Sequence, residues 1–173
     1  MSLLHNYNLN SPLNSNPFDM DFNQQSNHNK MESKIIYKFI INHSFNLIIS
    51  KYGSKFHNLN IENLNQFITI LFQRLNLTLY DLQKLIIILI KYLSIIIAPL
   101  KISIKQLILG VLIKIHGKGK YNWCVISGLS MESIDNLIGM IEINDEFVKV
   151  DHEEVLELNG YMKNLIYSKF EVV

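Results

Sequence analysis

Leu64-Asn-Gln-Phe-Ile-Thr-Ile-Leu-Phe-Gln-Arg-Leu75 decides the fold class of this chain. Its apolar residues Leu64, Phe67, Ile68, Leu71, Phe72 and Leu75 stand at i, i+3, i+4, i+7, i+8 and i+11, a spacing that lines one face of an α-helix. On the C-terminal side, Thr78-Leu-Tyr-Asp81 reads as a capping box, with an acidic side chain where a new helix has free N–H groups. The helix it opens carries Leu82, Leu85 to Ile90 and Leu93, apolar nearly all round, which predicts a deep position. Ile95 to Ile97 is β-branched and compatible with extended chain in isolation, but length and the cap favour helix up to its stop at Pro99.

Further on, Ser103-Ile-Lys-Gln106 is a second capping box, followed by Leu107, Ile108, Val111, Leu112 and Ile115 on one face and a stop at Gly117 and Gly119. Tyr121 to Gly128 has room for no more than two turns of helix. Ser130 starts the next helix, with Glu132 favourable to its dipole and Ile134, Leu137, Ile138 and Ile141 as the buried face. Asp151-His-Glu-Glu154 caps a last helix that buries Val155, Leu158, Tyr161, Met162, Leu165 and Ile166. Upstream, Ile36, Phe39, Ile40, Leu47 and Ile48 share a helical face ending before Gly53. About seven helices, short connections and no hairpin signal predict an all-α fold.

The chain of 173 residues divides in two. Residues 1–30 are rich in Asn, Ser, Gln and Pro and bury too little apolar surface to offset ordering entropy, so they are expected to be a disordered head. Residues 31–173 are expected to form one helical domain. A net charge of +1, with Arg74 the only Arg, argues against nucleic acid as a partner. The greasiest stretch, Leu85 to Leu100, is interrupted by Lys91 and Pro99, and falls short of the roughly 18 apolar residues of a bilayer span. We expect no membrane partner. The lone Cys124 fits a reducing compartment and behaves as a small apolar residue, and Met1 to Tyr7 lacks the pattern of a secretory signal, so an intracellular location is expected.

Little points to catalysis. His5, His28, His43, His57, His116 and His152 form no i, i+4 pair, and only His152 has acidic neighbours at ligand-like spacing, so no metal is expected. His116-Gly-Lys-Gly-Lys120 follows a helix rather than a strand and lacks the phosphate-loop spacing, which makes it a helix stop. Glu153 and Glu154 read as a solvated helix start. The expectation is a protein that is not an enzyme and needs no cofactor.

One block is more specific: Lys105-Gln-Leu-Ile-Leu-Gly-Val-Leu-Ile-Lys114, Tyr121-Asn-Trp-Cys-Val-Ile-Ser-Gly-Leu-Ser130 and Met131-Glu-Ser-Ile-Asp-Asn-Leu137. It resembles the third, fourth and fifth helices of the cyclin box in fungal Pcl-type cyclins. There an apolar helix ends in Lys, a Trp precedes an Ile-Ser-Gly-Leu-like turn, and a helix opens with a Leu-Asn-like pair; here these are Lys114, Trp123 with Ile126 to Leu129, and Ile134-Asp135. The resemblance implies a cyclin-box bundle of about five helices, one of them central, with flanking N- and C-terminal helices. It also implies a cell-cycle-type regulatory subunit that binds and activates a cyclin-dependent protein kinase through a face holding Lys114. By the same resemblance Trp123 and Gly128 are structural anchors of the block. The sequence departs from the family at the acid of the fifth helix, where Ile138 stands and Glu142 lies a turn away, and at the acid soon after the Lys, near His116 and Lys118. That departure keeps open an alternative, a cyclin-fold helical adaptor that binds proteins without activating a kinase.

Overall fold

The structure is a computed structural model that describes residues 27–170, with side chains from residue 33 onward. Apart from 27–30, the first turn of α1, the Asn-rich head lies outside the described residues. The chain is all-α: α1 (Asn27–Tyr52), a 3-10 turn (Gly53–Lys55), α2 (Leu64–Leu75), α3 (Leu79–Ile95), α4 (Ile104–His116), α5 (Trp123–Ser127), α6 (Met131–Met140) and α7 (His152–Phe170). Among the described residues there is no β-strand. One parallel bridge ties Phe56 to Leu100, with the His57 N–H donating to the Leu100 carbonyl at 2.8 Å.

Both capping boxes form as their sequences specify. The Thr78 N–H donates to Asp81 Oδ2 at 2.8 Å, and the Ser103 N–H to Gln106 Oε1 at 2.9 Å. Each satisfies backbone donors that a helix start leaves free, a stabilisation of about 1 kcal/mol. Helix α2 ends on Asn76 in the left-handed region (φ 53°), and the Leu77 N–H reaches back to the Phe72 carbonyl at 3.0 Å. This is the Schellman arrangement, with Asn in the position usually given to Gly. Leu77 is thereby driven into the core.

Helix α4 lies between α3 and α6, and every residue from Leu107 to Ile113 is buried. The side chains of such a run remove apolar surface from water on all sides, worth roughly 1.5–3 kcal/mol for each large aliphatic residue. Gly110 allows the contact with α6, because a Cβ there would overlap Ile141 Cδ1. Helix α7 packs on α3, α1 touches α2, α3 and α7, and the short α5 bridges α2 and α6.

Three expectations require correction. On α1 the buried face is Ile36, Tyr37, Ile40, Ile41, Ser44, Phe45 and Ile48, while Leu47 is exposed. The i, i+1, i+4, i+5 rows turn toward α2 and α3, and Leu47 falls off their edge. Helix α3 stops at Ile95 rather than running to Pro99: Ile96 is extended (ψ 130°) and Ile97 is 97% exposed. A helix continued to Pro99 would set its ring against the Ile95 carbonyl. The Ile96 carbonyl instead accepts a hydrogen bond from Lys55 Nζ at 2.6 Å. On α7 Tyr161 is exposed, and the buried residues are Asn159, Met162 and Ile166.

Candidate protein-docking surface at the end of helix α4

The last turn of α4 carries the residues that the sequence marked. Lys114 is half-buried, and its side chain makes no hydrogen bond or ion pair with a described residue. As a cation in the last turn it faces the helix's negative end. One step along, Gly117 turns the chain in the left-handed region (φ 92°), and its carbonyl accepts a hydrogen bond from Trp123 Nε1 at 3.1 Å. The Trp123 ring is 2% exposed and meets Tyr121 edge to face at 5.3 Å. Buried apolar bulk plus a paired indole N–H makes Trp123 the pin that holds the α4–α5 loop.

Gly128 closes α5 with φ 74°, its N–H donating to the Cys124 carbonyl at 2.9 Å. Only glycine takes this conformation without steric cost, and the turn sets the direction of α6. Helix α6 begins at the Ser130 cap and is tied back to the loop by the Lys118–Asp135 ion pair, both partners half-exposed. Arg74 donates to the Ile126 carbonyl at 2.9 Å and so links α2 to α5. Ile138 is half-buried on α6, and Glu142 is exposed just beyond the helix end. The last turn of α4 thus carries a cation in Lys114, and α6 has an apolar side chain at position 138.

His116 is the residue of this region that sequence reasoning missed. Its side chain is only 8% exposed, and its Nε2 is buried, lacks a hydrogen bond and stands 3.8 Å from Asp81 Oδ1. Burial holds its pKa below the ordinary 6.5; the Asp81 carboxylate pulls the other way, and Lys120 and Lys84 add to the depression. The signal was its place four residues after Leu112 and eight after Ile108, on the buried face. Glu154, read as solvated, is in fact engaged: it pairs with Lys91 at 2.8 Å and accepts the Asp151 N–H at 3.0 Å, and these interactions hold its carboxyl below the usual range.

Toward the opposite end of α4, a shallow groove of about 380 Å³ lies between α2, α4 and α5, floored by Phe67, Leu71 and Leu109, with Arg74 and Lys105 on its edges. Val125, 75% exposed, and Met131, 50% exposed, are further apolar side chains open to solvent. Such a face suits a protein partner better than a small metabolite, because it is open and carries few convergent polar groups. Among the described residues no three His, Cys, Asp or Glu side chains come together to hold a metal ion. No described helix is long and apolar enough to cross a membrane. No family model, no curated protein and no solved structure matches the chain.

Proposed function

We propose that the chain is an intracellular regulatory subunit that binds and activates a cyclin-dependent protein kinase, with α2 to α6 as its cyclin-box helices and α1 and α7 flanking them. The observation that carries this reading is Lys114, half-exposed and without an ion pair among the described residues, at the end of the all-round buried helix α4 and beside the Trp123 turn. A central helix that ends in an available cation is what the resemblance implies for the third box helix. In this reading the face of α4 and α6 packs on the mobile helix of the kinase small lobe. That contact holds the kinase's Lys–Glu ion pair closed and favours the ordered activation loop. The reacting groups belong to the partner.

The experiment is reconstitution of the full chain with cyclin-dependent kinases from the same cells, measuring phosphate transfer to a peptide. Activation that falls at least tenfold with Lys114→Glu supports the proposal; absence of binding to every kinase tested refutes it. The second reading, a helical adaptor without kinase activation, is favoured by Ile138, which puts an apolar side chain where the family has Glu. A kinase bound at full affinity without any rise in turnover would select that reading.

A further inference from the structure

A second, larger groove of about 750 Å³ runs between the N-terminal half of α1 and helix α2. Tyr37, Ile41 and Ile70 form its floor, and Lys34, Lys38 and Gln73 stand along its rim. None of the described residues that line it is acidic. Asn65 Nδ2 donates to Asn42 Oδ1 at 2.8 Å and closes one end. The other end, at Lys34 and Gln73, lies toward the start of α1.

Residues 1–26 join the described structure at Asn27, about 10 Å of helix before Lys34. Within those residues the only Asp, Glu, Lys or Arg are Asp19 and Asp21, and both fall in Pro17-Phe-Asp-Met-Asp-Phe22. Extended, this segment would put Phe18, Met20 and Phe22 on one side and Asp19 and Asp21 on the other. Asn23 to Ser26 separate it from α1, a link that spans up to roughly 17 Å, enough to turn back to the Lys34 end. From there the six residues, about 20 Å when extended, cover the distance from Lys34 to Asn42, about 12 Å along the helix.

We propose that Pro17–Phe22 docks within its own chain in the groove between α1 and α2, its apolar side on Tyr37, Ile41 and Ile70 and its two carboxylates beside Lys38 and Lys34. The short tether makes the segment's effective concentration at the groove millimolar, so a modest intrinsic affinity keeps the groove occupied. Occupied, it covers the open face of α1 and α2, and a partner approaching there has to displace the segment. The inference is independent of any kinase.

The test uses the full chain with a photoreactive benzoylphenylalanine in place of the exposed Gln66, irradiated and mapped by peptide mass spectrometry. The expected product is an intrachain link into residues 17–22, with a yield unchanged on tenfold dilution. Asp19→Lys with Asp21→Lys should lower that yield at least tenfold, and adding Lys34→Asp with Lys38→Asp should recover most of it, with circular dichroism unchanged throughout. Links that fall elsewhere in the head, links between chains that grow with concentration, or a yield indifferent to the charge reversal would each overturn the proposal.

Discussion

Asn159→Ala removes one half of the polar pair buried between α3 and α7. Gln83, 1% exposed, donates through Nε2 to Asn159 Oδ1 at 3.1 Å, and Asn159 itself is 5% exposed. Without that oxygen, the Gln83 amide retains Met162 Sδ at 3.8 Å, a weak acceptor at a long distance. A buried donor left without its partner costs about 1–3 kcal/mol, to which the small space vacated by the amide adds. The nearby Lys91–Glu154 pair does not compensate, since its side chains are 35% and 32% exposed and such pairs contribute at most about 1 kcal/mol. A loss of about 2–3 kcal/mol in a domain of this size lowers Tm by roughly 8–12 °C. Thermal and urea unfolding followed by circular dichroism measure it. Replacing both residues by Leu should return part of the loss, because it removes both halves of the Gln83–Asn159 hydrogen bond together. Unfolding of Asn159→Ala within about 2 °C of the parent, or a double Leu variant no better than the single Ala variant, would refute a stabilising role for the pair.

Two other perturbations test the α4–α5 junction. Trp123→Ala empties a site that is 2% exposed and removes the indole hydrogen bond to the Gly117 carbonyl, so it should cost about 3–5 kcal/mol in urea denaturation, while Trp123→Phe keeps much of the packing and loses less. His116 has a folded-state pKa below the ordinary 6.5, so the unfolded chain takes up the proton first. Its contribution is complete above about pH 6.5 and is lost as the pH falls below that value, and His116→Leu should flatten this limb of the stability profile. An unchanged acid limb in that variant would assign the titration to another group.

The helices were legible where local chemistry alone dictates them. Spacing gave α2, and two four-residue boxes gave the starts of α3 and α4, because a cap needs only its own residues. Trp123 and Gly128 were marked only through the resemblance of their block, since neither burial nor a positive φ can be read from spacing alone. What escaped depends on residues distant in sequence. Asn159 inside α7 is a polar residue that periodicity assigns to water, and its burial makes sense only with Gln83, 76 positions away, opposite it. The face of α1 was rotated in the reading because Leu47 and Phe45 are equally apolar, and the neighbours α2 and α3 decide which of them turns inward. His116 looked like one histidine among six until Asp81 and Tyr121 closed around it.

Gly110 has a mechanical consequence for the surface at the end of α4. It stands one helical turn before Lys114, at the point where Ile141 presses on the α4 backbone without an intervening side chain. Side chains between helices act as compliant cushions, since rotamer changes absorb small displacements before the backbones feel them. At Gly110 the cushion is present on one side only, as the Ile141 side chain, so a larger residue at position 110 would have to push Ile141 aside and force the two segments apart.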